Sequence, residues 1–291
     1  MKVLITGGTG IIGWDLVQES ILRGYDTSYT FYENDIQRSK ASAYKMDLRN
    51  ESQVRKVMNE VDPEITIHSA ALTNVDRCER NPELAHEINV SGTKFISNMC
   101  EAVGSKMILL SSSFVFSGEK DCYYEDDKRS SKNIYGETKV KAEDIVSNLS
   151  HSTIIRTDEP ISISEPWQSN TMITWTLSQL NGNSEVNIFD DWHNNPICVN
   201  DLVNAIFELV VGKNSGIYHV VGPEFISRYE CGKKIASVFG RSSSRIEPTS
   251  SDDAELPAER PNAKLSNKKV LETLETDFQS VRDCMEELNS A

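Results

Sequence analysis

The sequence lacks any long apolar run and any cysteine spacing typical of a metal site. Across 291 residues no uninterrupted apolar stretch reaches the ~18 residues that a membrane-spanning helix needs. The six cysteines form no Cys-x-x-Cys pair and have no histidine at metal-ligand spacing. We therefore expect no membrane partner, no metal, and unpaired thiols in a reducing compartment, which makes the cytoplasm the expected location. The cysteines are Cys78, Cys100, Cys122, Cys198, Cys231 and Cys284.

Positive charge is also scarce. The chain carries 30 Lys and Arg against 44 Asp and Glu, for a formal net charge of -14. A nucleic-acid binder needs a basic face, so this class of partner is not expected. An anionic substrate would have to be held by local cations or helix N-termini, against the overall negative field.

Internal repeats and low-complexity tracts are absent, and short β-branched runs alternate with helical stretches instead. Strand followed by helix, repeated, implies a parallel sheet with right-handed crossovers and helices on both faces. We predict an α/β fold with a Rossmann doubly wound parallel sheet over residues 1–156. Residues 157–291 are predicted to form a smaller C-terminal α/β substrate lobe, part of which returns to the sheet.

The first predicted strand runs directly into a glycine-rich turn. The run Lys2–Thr6 is followed by Gly7, Gly10 and Gly13, and then by a helical pattern. A dinucleotide site requires this order, because the glycines permit the tight turn, the approach of the pyrophosphate and close packing of the helix. We predict that a dinucleotide binds here, and a plain tight turn is the alternative.

The end of the second predicted strand bears on the choice between NAD and NADP. In such folds a carboxylate at this point binds the ribose 2′-hydroxyl and selects NAD. Here the tip carries Thr30 and no carboxylate, Glu33 comes slightly late, and Arg38 and Lys40 follow. The predicted cofactor is therefore NADP or NAD, with a lean towards NADPH.

Tyr135 and Lys139 lie one turn apart on the same face if residues 135–148 are helical. Bringing the pKa of a tyrosine from about 10 towards neutrality takes about 4 kcal/mol of preferential stabilisation of the phenolate, which one cation in a partly desolvated site can supply. Ser112 follows an apolar run and would donate a hydrogen bond to the same substrate oxygen. These residues predict a site that protonates a carbonyl oxygen while a hydride arrives at carbon. Two surface neighbours on a helix are the alternative, because the spacing is common.

Four motifs together resemble those of a known family. They are Gly7-Gly8-Thr9-Gly10-Ile11-Ile12-Gly13, Ser111-Ser112-Ser113-Phe114-Val115-Phe116, Tyr135-Gly136-Glu137-Thr138-Lys139 and Glu259-Arg260-Pro261-Asn262-Ala263-Lys264-Leu265. Over essentially its whole length the chain resembles the extended short-chain dehydrogenases, most closely the dTDP-4-dehydrorhamnose reductases.

The resemblance implies reduction of the C4 ketone of a dTDP-4-keto-6-deoxy sugar by NAD(P)H, in the synthesis of dTDP-rhamnose or a related deoxysugar. It implies that Tyr135 donates the proton, that Lys139 lowers the pKa of Tyr135 and holds the nicotinamide ribose, and that Ser112 stands where the family has Thr or Ser. The expected cofactor contacts are Gly7, Gly10, Ile11, Ile12, Thr30, Asp47, Leu48, Ala70, Ala71, Leu72, Thr73, Leu110, Tyr135 and Lys139. The expected substrate contacts are Ser112, Ser113, Trp192 and Arg260.

The chain departs from the family pattern near the substrate. Where well-known reductases read Arg-Thr-Ser-Trp, it reads Arg-Thr-Asp-Glu over residues 156–159, so the tryptophan that touches the sugar nucleotide is missing or replaced. Trp167 or Trp192 is a candidate replacement, by stacking on a base or sugar. Where members often read Ser-Thr-Asp-Tyr-Val-Phe, this chain has Ser113-Phe114 in place of Asp-Tyr, which removes a carboxylate near the sugar.

Some of these reductases bind magnesium through acidic residues at a dimer contact. Asp15 matches one such position, but Asn200 stands where another acid would be expected, so no metal is predicted. A nucleotide sugar is the expected partner, and a homodimer is left open.

Two other functions fit the same motifs. The regulatory subunit of methionine adenosyltransferase resembles this chain in its Tyr-x-x-x-Lys pattern, in the segment around Trp192 and in Arg260-Pro261-Asn262-Ala263. That likeness implies a non-catalytic, NADP-binding partner protein. A 4-epimerase or another nucleotide-sugar reductase would share the catalytic residues, since the outcome depends on how the sugar is held.

Overall fold

The strands of the protein form one large parallel sheet and three small pairs. The computed structural model describes residues 1–34, 36, 40–212 and 214–290, which leaves Arg38 outside the described residues. The strands are β1 (Lys2–Thr6), β2 (Asp26–Phe31), β3 (Ser42–Lys45), β4 (Ile65–His68), β5 (Lys106–Ser112), β6 (Ser152–Thr157), β7 (Pro160–Ile161), β8 (Val186–Phe189), β9 (His193–Asn194), β10 (Ile197–Cys198), β11 (Gly216–His219), β12 (Ile226–Ser227) and β13 (Ile246–Thr249).

Seven of these strands make the central sheet, in the order β11-β6-β5-β4-β1-β2-β3. Every neighbouring pair in it is parallel. The chain order runs outward from β1 to β3 on one side and from β4 to β6 on the other. This reversal leaves a crevice at the carboxyl ends of β1 and β4, which is where sheets of this kind bind ligands.

Helices cover both faces of the sheet. They are α1 (Ile11–Leu22), α2 (Glu51–Val61), α3 (Val75–Arg80), α4 (Pro82–His86), α5 (Gly92–Val103), α6 (Ile134–Val146), α7 (Met172–Leu180), α8 (Val199–Val211), α9 (Arg228–Val238), α10 (Lys268–Thr273) and α11 (Val281–Ser290). Within the described ranges, none of them is long and apolar enough to span a membrane.

The side chains of β1 alternate between two cores. Val3 and Ile5 pack with α1 and α8 on one face, and Leu4 packs with α2, α5 and α6 on the other. Alternation along a strand that is buried on both faces is what a doubly wound sheet requires. The predicted fold class is therefore confirmed.

A third core lies in the later part of the chain. It contains the buried faces of α7, α9 and α11 together with β8 and β13, which pair in parallel. Two short pairs lie nearby in the sequence, a parallel one of β7 with β10 and an antiparallel one of β9 with β12. Among the described residues of this later part, only those of β11 join the central sheet, beside β6.

Several element boundaries differ from those that the sequence predicts. The sequence predicts one long helical stretch over residues 83–103, but a π-helical turn, Glu87–Ser91, separates α4 from α5. The sequence predicts that Asn200 or Asp201 caps α8, but this helix begins at Val199 without a side-chain cap. By contrast, the sequence predicts a helix over residues 51–61 with Asn50 or Ser52 as its cap, and α2 has these bounds and is capped by the side chain of Asn50.

Cys198 and Cys284 form a disulfide bond, with their Cα atoms 5.7 Å apart. The prediction that all cysteines are unpaired is therefore wrong for these two. They are separated by 86 positions in the sequence, and only the fold brings α11 against the residue that precedes α8. The free cysteines are Cys78, Cys100, Cys122 and Cys231.

The polar loop at residues 118–133 is anchored to the core, although its composition is typical of a solvated flap. Tyr123 is buried, stacks on Phe116 with ring centroids 4.3 Å apart, and forms a parallel bridge with Leu265. The carbonyl oxygen of Glu125 accepts a hydrogen bond from the fully buried Arg156. These contacts hold the loop in place. The sequence does not indicate them, because the loop carries many charged side chains.

Candidate active site

The glycine-rich turn between β1 and α1 is shaped to admit a phosphate group. Gly7 has a φ of 68°, and a Cβ there would lie 2.8 Å from the Cα of Ala70. A Cβ at Gly13 would lie 2.1 Å from the carbonyl oxygen of Gly7, so α1 packs closely only because Gly13 has no side chain. Gly10 precedes α1 without a side-chain cap, which leaves the first N–H groups of the helix for a ligand. These residues fit a dinucleotide.

A cavity of about 310 Å³ opens beside this turn. Half of the expected cofactor residues line it, namely Gly7, Thr30, Asp47, Leu48, Ala70, Ala71 and Leu72. The remaining expected contacts lie outside its lining, and several of them belong to the turn or to α6. Sequence reasoning missed Tyr32, Met46 and Arg49, which also line the cavity. The sequence could have indicated them by position, because Tyr32 follows β2, and Met46 and Arg49 follow β3. These two strands are adjacent and end beside each other.

Residues 167–168 cross over the glycine turn from the later part of the chain. Gln168 Nε2 donates hydrogen bonds to the carbonyl oxygens of Thr9 and Gly10, at 3.2 and 3.1 Å. The ring of Trp167 meets that of Trp14 edge-on, with centroids 5.1 Å apart. Trp167 therefore packs at the turn and not in the cluster around Tyr135, so of the two candidate tryptophans it does not replace the family's sugar contact.

Tyr135 and Lys139 lie in the first turns of α6, and both are buried. Asn133 caps this helix by accepting a hydrogen bond from Gly136 N at 2.8 Å. Lys139 Nζ donates to the carbonyl oxygen of Leu110 at 2.5 Å, which ties α6 to β5. The structure thus brings together three of the expected site residues, Tyr135, Lys139 and Leu110.

Burial dominates the ionisation of this pair. It raises the pKa of Tyr135 to about 12, although a hydrogen bond with Ser112 lowers it. It lowers the pKa of Lys139 to about 8, and the carboxylate of Glu143 opposes that change. The ammonium of Lys139 binds the Leu110 carbonyl, and its role in acidifying the phenol stays a prediction.

The serine run at the end of β5 contacts α6 through two of its hydroxyl groups. Ser111 Oγ donates to Glu143 at 2.5 Å, and Glu143 also pairs with the buried Arg156 at 2.8 Å. Ser112 forms a hydrogen bond with Tyr135 and accepts one from Phe114 N at 3.3 Å. Ser113 is buried and begins a short 3-10 turn, Ser113–Val115. Ser111 therefore has a structural partner in α6, and Ser112 lies beside the phenol.

Asn89 connects the cofactor side of the site to α6. It lies in the π-helical turn, where it is buried, and its amide exchanges hydrogen bonds with the backbone N and O of Leu72, at 2.7 and 3.0 Å. Its Nδ2 also donates to Thr138 Oγ1 at 3.0 Å. The sequence leaves open whether this amide is solvated or buried, and the structure buries it between the two elements. A π-helical turn at such a position is typical of functional sites.

Trp192 packs in the hydrophobic cluster that contains Tyr135. Phe114 and Leu72 belong to the same cluster, and Leu72 also lines the cavity beside the glycine turn. The guanidinium of Arg228 lies 4.0 Å from the centroid of a Trp192 ring. Tyr135 therefore shares one packed cluster with a residue of the cavity lining and with this tryptophan.

Arg260 adds a second guanidinium, 5.3 Å from a Trp192 ring centroid. It forms a salt bridge with Asp76 at 2.6 Å and donates to the carbonyl oxygen of Ala258 at 2.7 Å. Arg228, which sequence reasoning missed, pairs with Glu159 at the position where well-known reductases have tryptophan. The sequence offered one indication of Arg228, namely the carboxylate of Glu159 in place of the family's tryptophan, because a carboxylate there needs a cationic partner.

Asp158, next to Glu159, fixes the segment that carries Trp192. It is buried and accepts hydrogen bonds from Asn194 Nδ2 at 3.1 Å and from Asn195 N at 2.8 Å. Burial raises its pKa, and these bonds oppose that effect. Asp158 also contributes to the raised pKa of Tyr135, so it acts electrostatically on the site.

Nearly the whole chain matches one protein family. Residues 1–290 match the family model described as the RmlD substrate binding domain. The chain belongs to this family. Two relatives are a dTDP-4-dehydrorhamnose reductase of Mycolicibacterium smegmatis and the subunit beta of methionine adenosyltransferase 2 of Mus musculus. The first is 25% identical and the alignment covers 100% of this chain and 85% of the relative. The second is 27% identical, with 94% and 82% covered.

Solved structures of the RmlD-like fold agree with this assignment. The crystal structure of a dTDP-4-dehydrorhamnose reductase from Bacillus anthracis in complex with NADP has a TM-score of 0.88 and 27% identity, over 99% of both chains. A Thermus thermophilus UDP-glucose 4-epimerase in complex with NAD has a TM-score of 0.87 at 20% identity, over 100% of both chains, which is a likeness of fold. The predicted membership of the reductase family is therefore confirmed, and the relatives include both a reductase and a subunit of another enzyme.

Proposed function

We propose that this RmlD-family protein reduces the C4 ketone of a dTDP-4-keto-6-deoxy sugar in the cytoplasm, in the synthesis of dTDP-rhamnose or a related deoxysugar. NADPH or NADH supplies the hydride when bound. The observation that carries the proposal is the position of Tyr135, in one packed cluster with Trp192 and with Leu72, which lines the cavity beside the glycine turn.

Tyr135 is proposed to give its proton to the ketone oxygen as the hydride reaches C4, which converts the ketone to an alcohol. Its pKa of about 12 keeps the phenol protonated at neutral pH, so Tyr135 carries the proton that it donates. An alkoxide is a stronger base than a phenolate, so the transfer is downhill even from this weak acid. The hydroxyl of Ser112 donates a hydrogen bond to the same ketone oxygen, so Tyr135 and Ser112 together orient the carbonyl.

Lys139 is proposed to stabilise the phenolate that this transfer leaves. Its pKa of about 8 keeps most of it cationic at neutral pH, one turn from the phenol. An ammonium in a buried site interacts strongly with a nearby anion, because little water screens the charges. This proposed role concerns the product of proton transfer, whereas the sequence predicts that the lysine acidifies the resting phenol.

The cluster around Trp192 supports a nucleotide sugar as the ligand. Within the part of the chain that the structure describes, Trp192 Nε1, Arg228 Nε and Arg260 Nε are buried without a hydrogen-bond partner. Buried donors without a partner are rare in native proteins, so these three N–H groups are available to a ligand that enters the cluster. Two guanidinium groups beside an aromatic ring suit a diphosphate and the base or sugar attached to it.

The proposal is tested by turnover. Purified protein is mixed with dTDP-4-keto-6-deoxy-L-mannose and either NADPH or NADH, and the absorbance of the reduced nicotinamide is followed. Loss of absorbance that requires the sugar nucleotide supports the proposal, and no loss with either cofactor overturns it. A thermal-shift panel of dTDP-, UDP- and GDP-sugars then identifies the nucleotide, because a ligand at a hundredfold excess over Kd stabilises the native state by about 2.7 kcal/mol.

A second candidate is a regulatory subunit of the methionine adenosyltransferase type. The observation that favours it is the pairing of Glu159 with Arg228, which occupies the position of a substrate-contacting tryptophan in well-known reductases. In that case the protein would bind a dinucleotide and not turn over a sugar. Co-purification with a methionine adenosyltransferase, and a change in that enzyme's kinetics, would support this candidate over the reductase. A third, a 4-epimerase or another nucleotide-sugar reductase, is distinguished by the products of the turnover assay.

A further inference from the structure

Arg49 brings a guanidinium to the tip of β2 from the segment that follows β3. Its Nη2 donates a hydrogen bond to the hydroxyl of Tyr32 at 2.9 Å, and its guanidinium carbon lies 5.7 Å from the centroid of the Tyr32 ring. Both side chains line the cavity beside the glycine turn, together with Thr30 and Glu33. A cation therefore stands at the strand end that meets the adenosine ribose in folds of this type.

The charge at this strand end favours an anion. Arg49 binds Asp47 with its Nε at 3.0 Å and its Nη2 at 2.7 Å, and this contact holds the pKa of the Asp47 carboxyl below its usual range. The carboxylate of Asp47 is thus already compensated and is a poor partner for a ribose hydroxyl. Thr30 Oγ1 is also engaged, since it accepts a hydrogen bond from Gly7 N at 3.2 Å. Glu33 is the remaining acid of the cavity lining, and it is exposed.

We propose that Arg49 binds the 2′-phosphate of NADP(H) and gives this protein its preference for the phosphorylated dinucleotide. The inference rests on the proposed function only in requiring that a dinucleotide occupy the glycine turn. A guanidinium group matches the oxygens of a phosphate as well as those of a carboxylate. Arg49 contacts Asp47 and Tyr32 through Nε and Nη2, and the side chain is 36% exposed, so a phosphate can bind at Nη1 while Asp47 stays paired.

Two other arginines make the assignment testable. Arg77 lines the same cavity from α3, and its side chain is a competing cation. Arg55 is a matched control on α2, because it pairs with Glu51 at 2.9 Å, is 62% exposed and lies outside the cavity lining. The variants Arg49→Gln, Arg77→Gln and Arg55→Gln each remove one positive charge from the same region.

The experiment measures the Kd values of NADPH, NADH and 2′,5′-ADP for the wild-type protein and the three variants, by nucleotide fluorescence and calorimetry. Arg49→Gln is expected to weaken NADPH and 2′,5′-ADP by about 10- to 100-fold and to change the NADH Kd by less than about threefold. Arg55→Gln is expected to behave as the wild type. Unchanged melting temperatures establish that each variant is folded.

Several outcomes would overturn the inference alone. They are equal weakening of NADPH and NADH by Arg49→Gln, no effect of that variant, a selective loss in Arg77→Gln or Arg55→Gln instead, or a wild-type protein that prefers NADH. A wild-type protein that binds none of the nucleotides would overturn the dinucleotide site, and the proposed reductase with it. Binding of both dinucleotides without any sugar reduction would count against the reductase and leave the Arg49 measurement decisive.

Discussion

The buried ammonium of Lys139 donates a 2.5 Å hydrogen bond to the carbonyl oxygen of Leu110. Leu110 is in β5, two residues before Ser112, so this bond fixes the helix that carries Tyr135 against the strand that carries Ser112. Burial at this contact also lowers the pKa of Lys139 to about 8. The charge of one lysine therefore depends on pH within the range where enzymes are assayed.

We predict that kcat/KM for sugar reduction falls as the pH rises through about 8. Deprotonation of Lys139 removes the cation that stabilises the phenolate of Tyr135, whereas the phenol itself, with a pKa of about 12, stays protonated. The measurement is log kcat/KM against pH, with the NADPH Kd followed in parallel to separate binding from chemistry. An alkaline limb that begins only near the ordinary lysine value of 10.5 would contradict the prediction.

The same lysine should make the folded state more stable at alkaline pH. Below the folded pKa of about 8 it is protonated in both states, and the folded protein carries the cost of the buried charge. That cost is relieved between about 8 and the unfolded value of 10.5, so this contribution to the free energy of unfolding rises with pH. Urea titrations of the wild type and of Lys139→Met over this range check it, since the variant should lack the increase.

We predict that Tyr135→Phe lowers kcat by about 10²- to 10⁴-fold, the usual contribution of a general acid, with little change in the NADPH Kd. The phenylalanine keeps the edge-on contact with Phe114, whose ring centroid is 5.7 Å from that of Tyr135, so the packing is preserved. Steady-state kinetics and nucleotide titration of the same preparation provide the comparison. A variant with wild-type turnover would show that the proton comes from another group.

The Cys198–Cys284 bond should raise the stability of the oxidised protein. It closes a long loop, with a sequence separation of 86, and such cross-links typically contribute about 2–4 kcal/mol by restricting the unfolded chain. Melting temperature is measured with and without reductant, and thiols are counted in denaturant. Cys122→Ser is the control, because Cys122 is free. Six reactive thiols in the unreduced, unfolded protein, or equal melting temperatures, would contradict the prediction.

The sequence predicts local elements well and contacts between distant elements poorly. The bounds of α2 follow from its own cap and apolar periodicity, and the glycine turn from its own spacing. The disulfide could not be predicted, because neither Cys198 nor Cys284 carries a local signal and the fold alone brings them together. The ionisation of Tyr135 was also out of reach, since it depends on how completely the folded protein removes the phenol from water.

The residues around Trp192 show the same limit. The motif Arg-Pro-Asn predicts that Arg260 lies near the substrate, whereas the capping box of Ser227 and Glu230 before and after Arg228 signals only a helix start. The importance of Arg228 follows from the pairing of β9 with β12, which sets Ser227 opposite His193 and so brings Arg228 beside Trp192. A register between two short strands is not encoded in either segment alone.

We predict that Trp192→Ala raises the KM for the sugar nucleotide by about tenfold or more, while the NADPH Kd stays nearly constant. The reason is that the indole organises two guanidinium groups, at 4.0 Å for Arg228 and 5.3 Å for Arg260, and belongs to the packed cluster that contains Tyr135. Trp192→Phe keeps an aromatic face for both cations and should lose much less. If both variants raised the KM equally, the aromatic face would not be the contact that matters. A large change in the NADPH Kd would instead show that Trp192 acts through the cofactor side of the site, by way of Leu72.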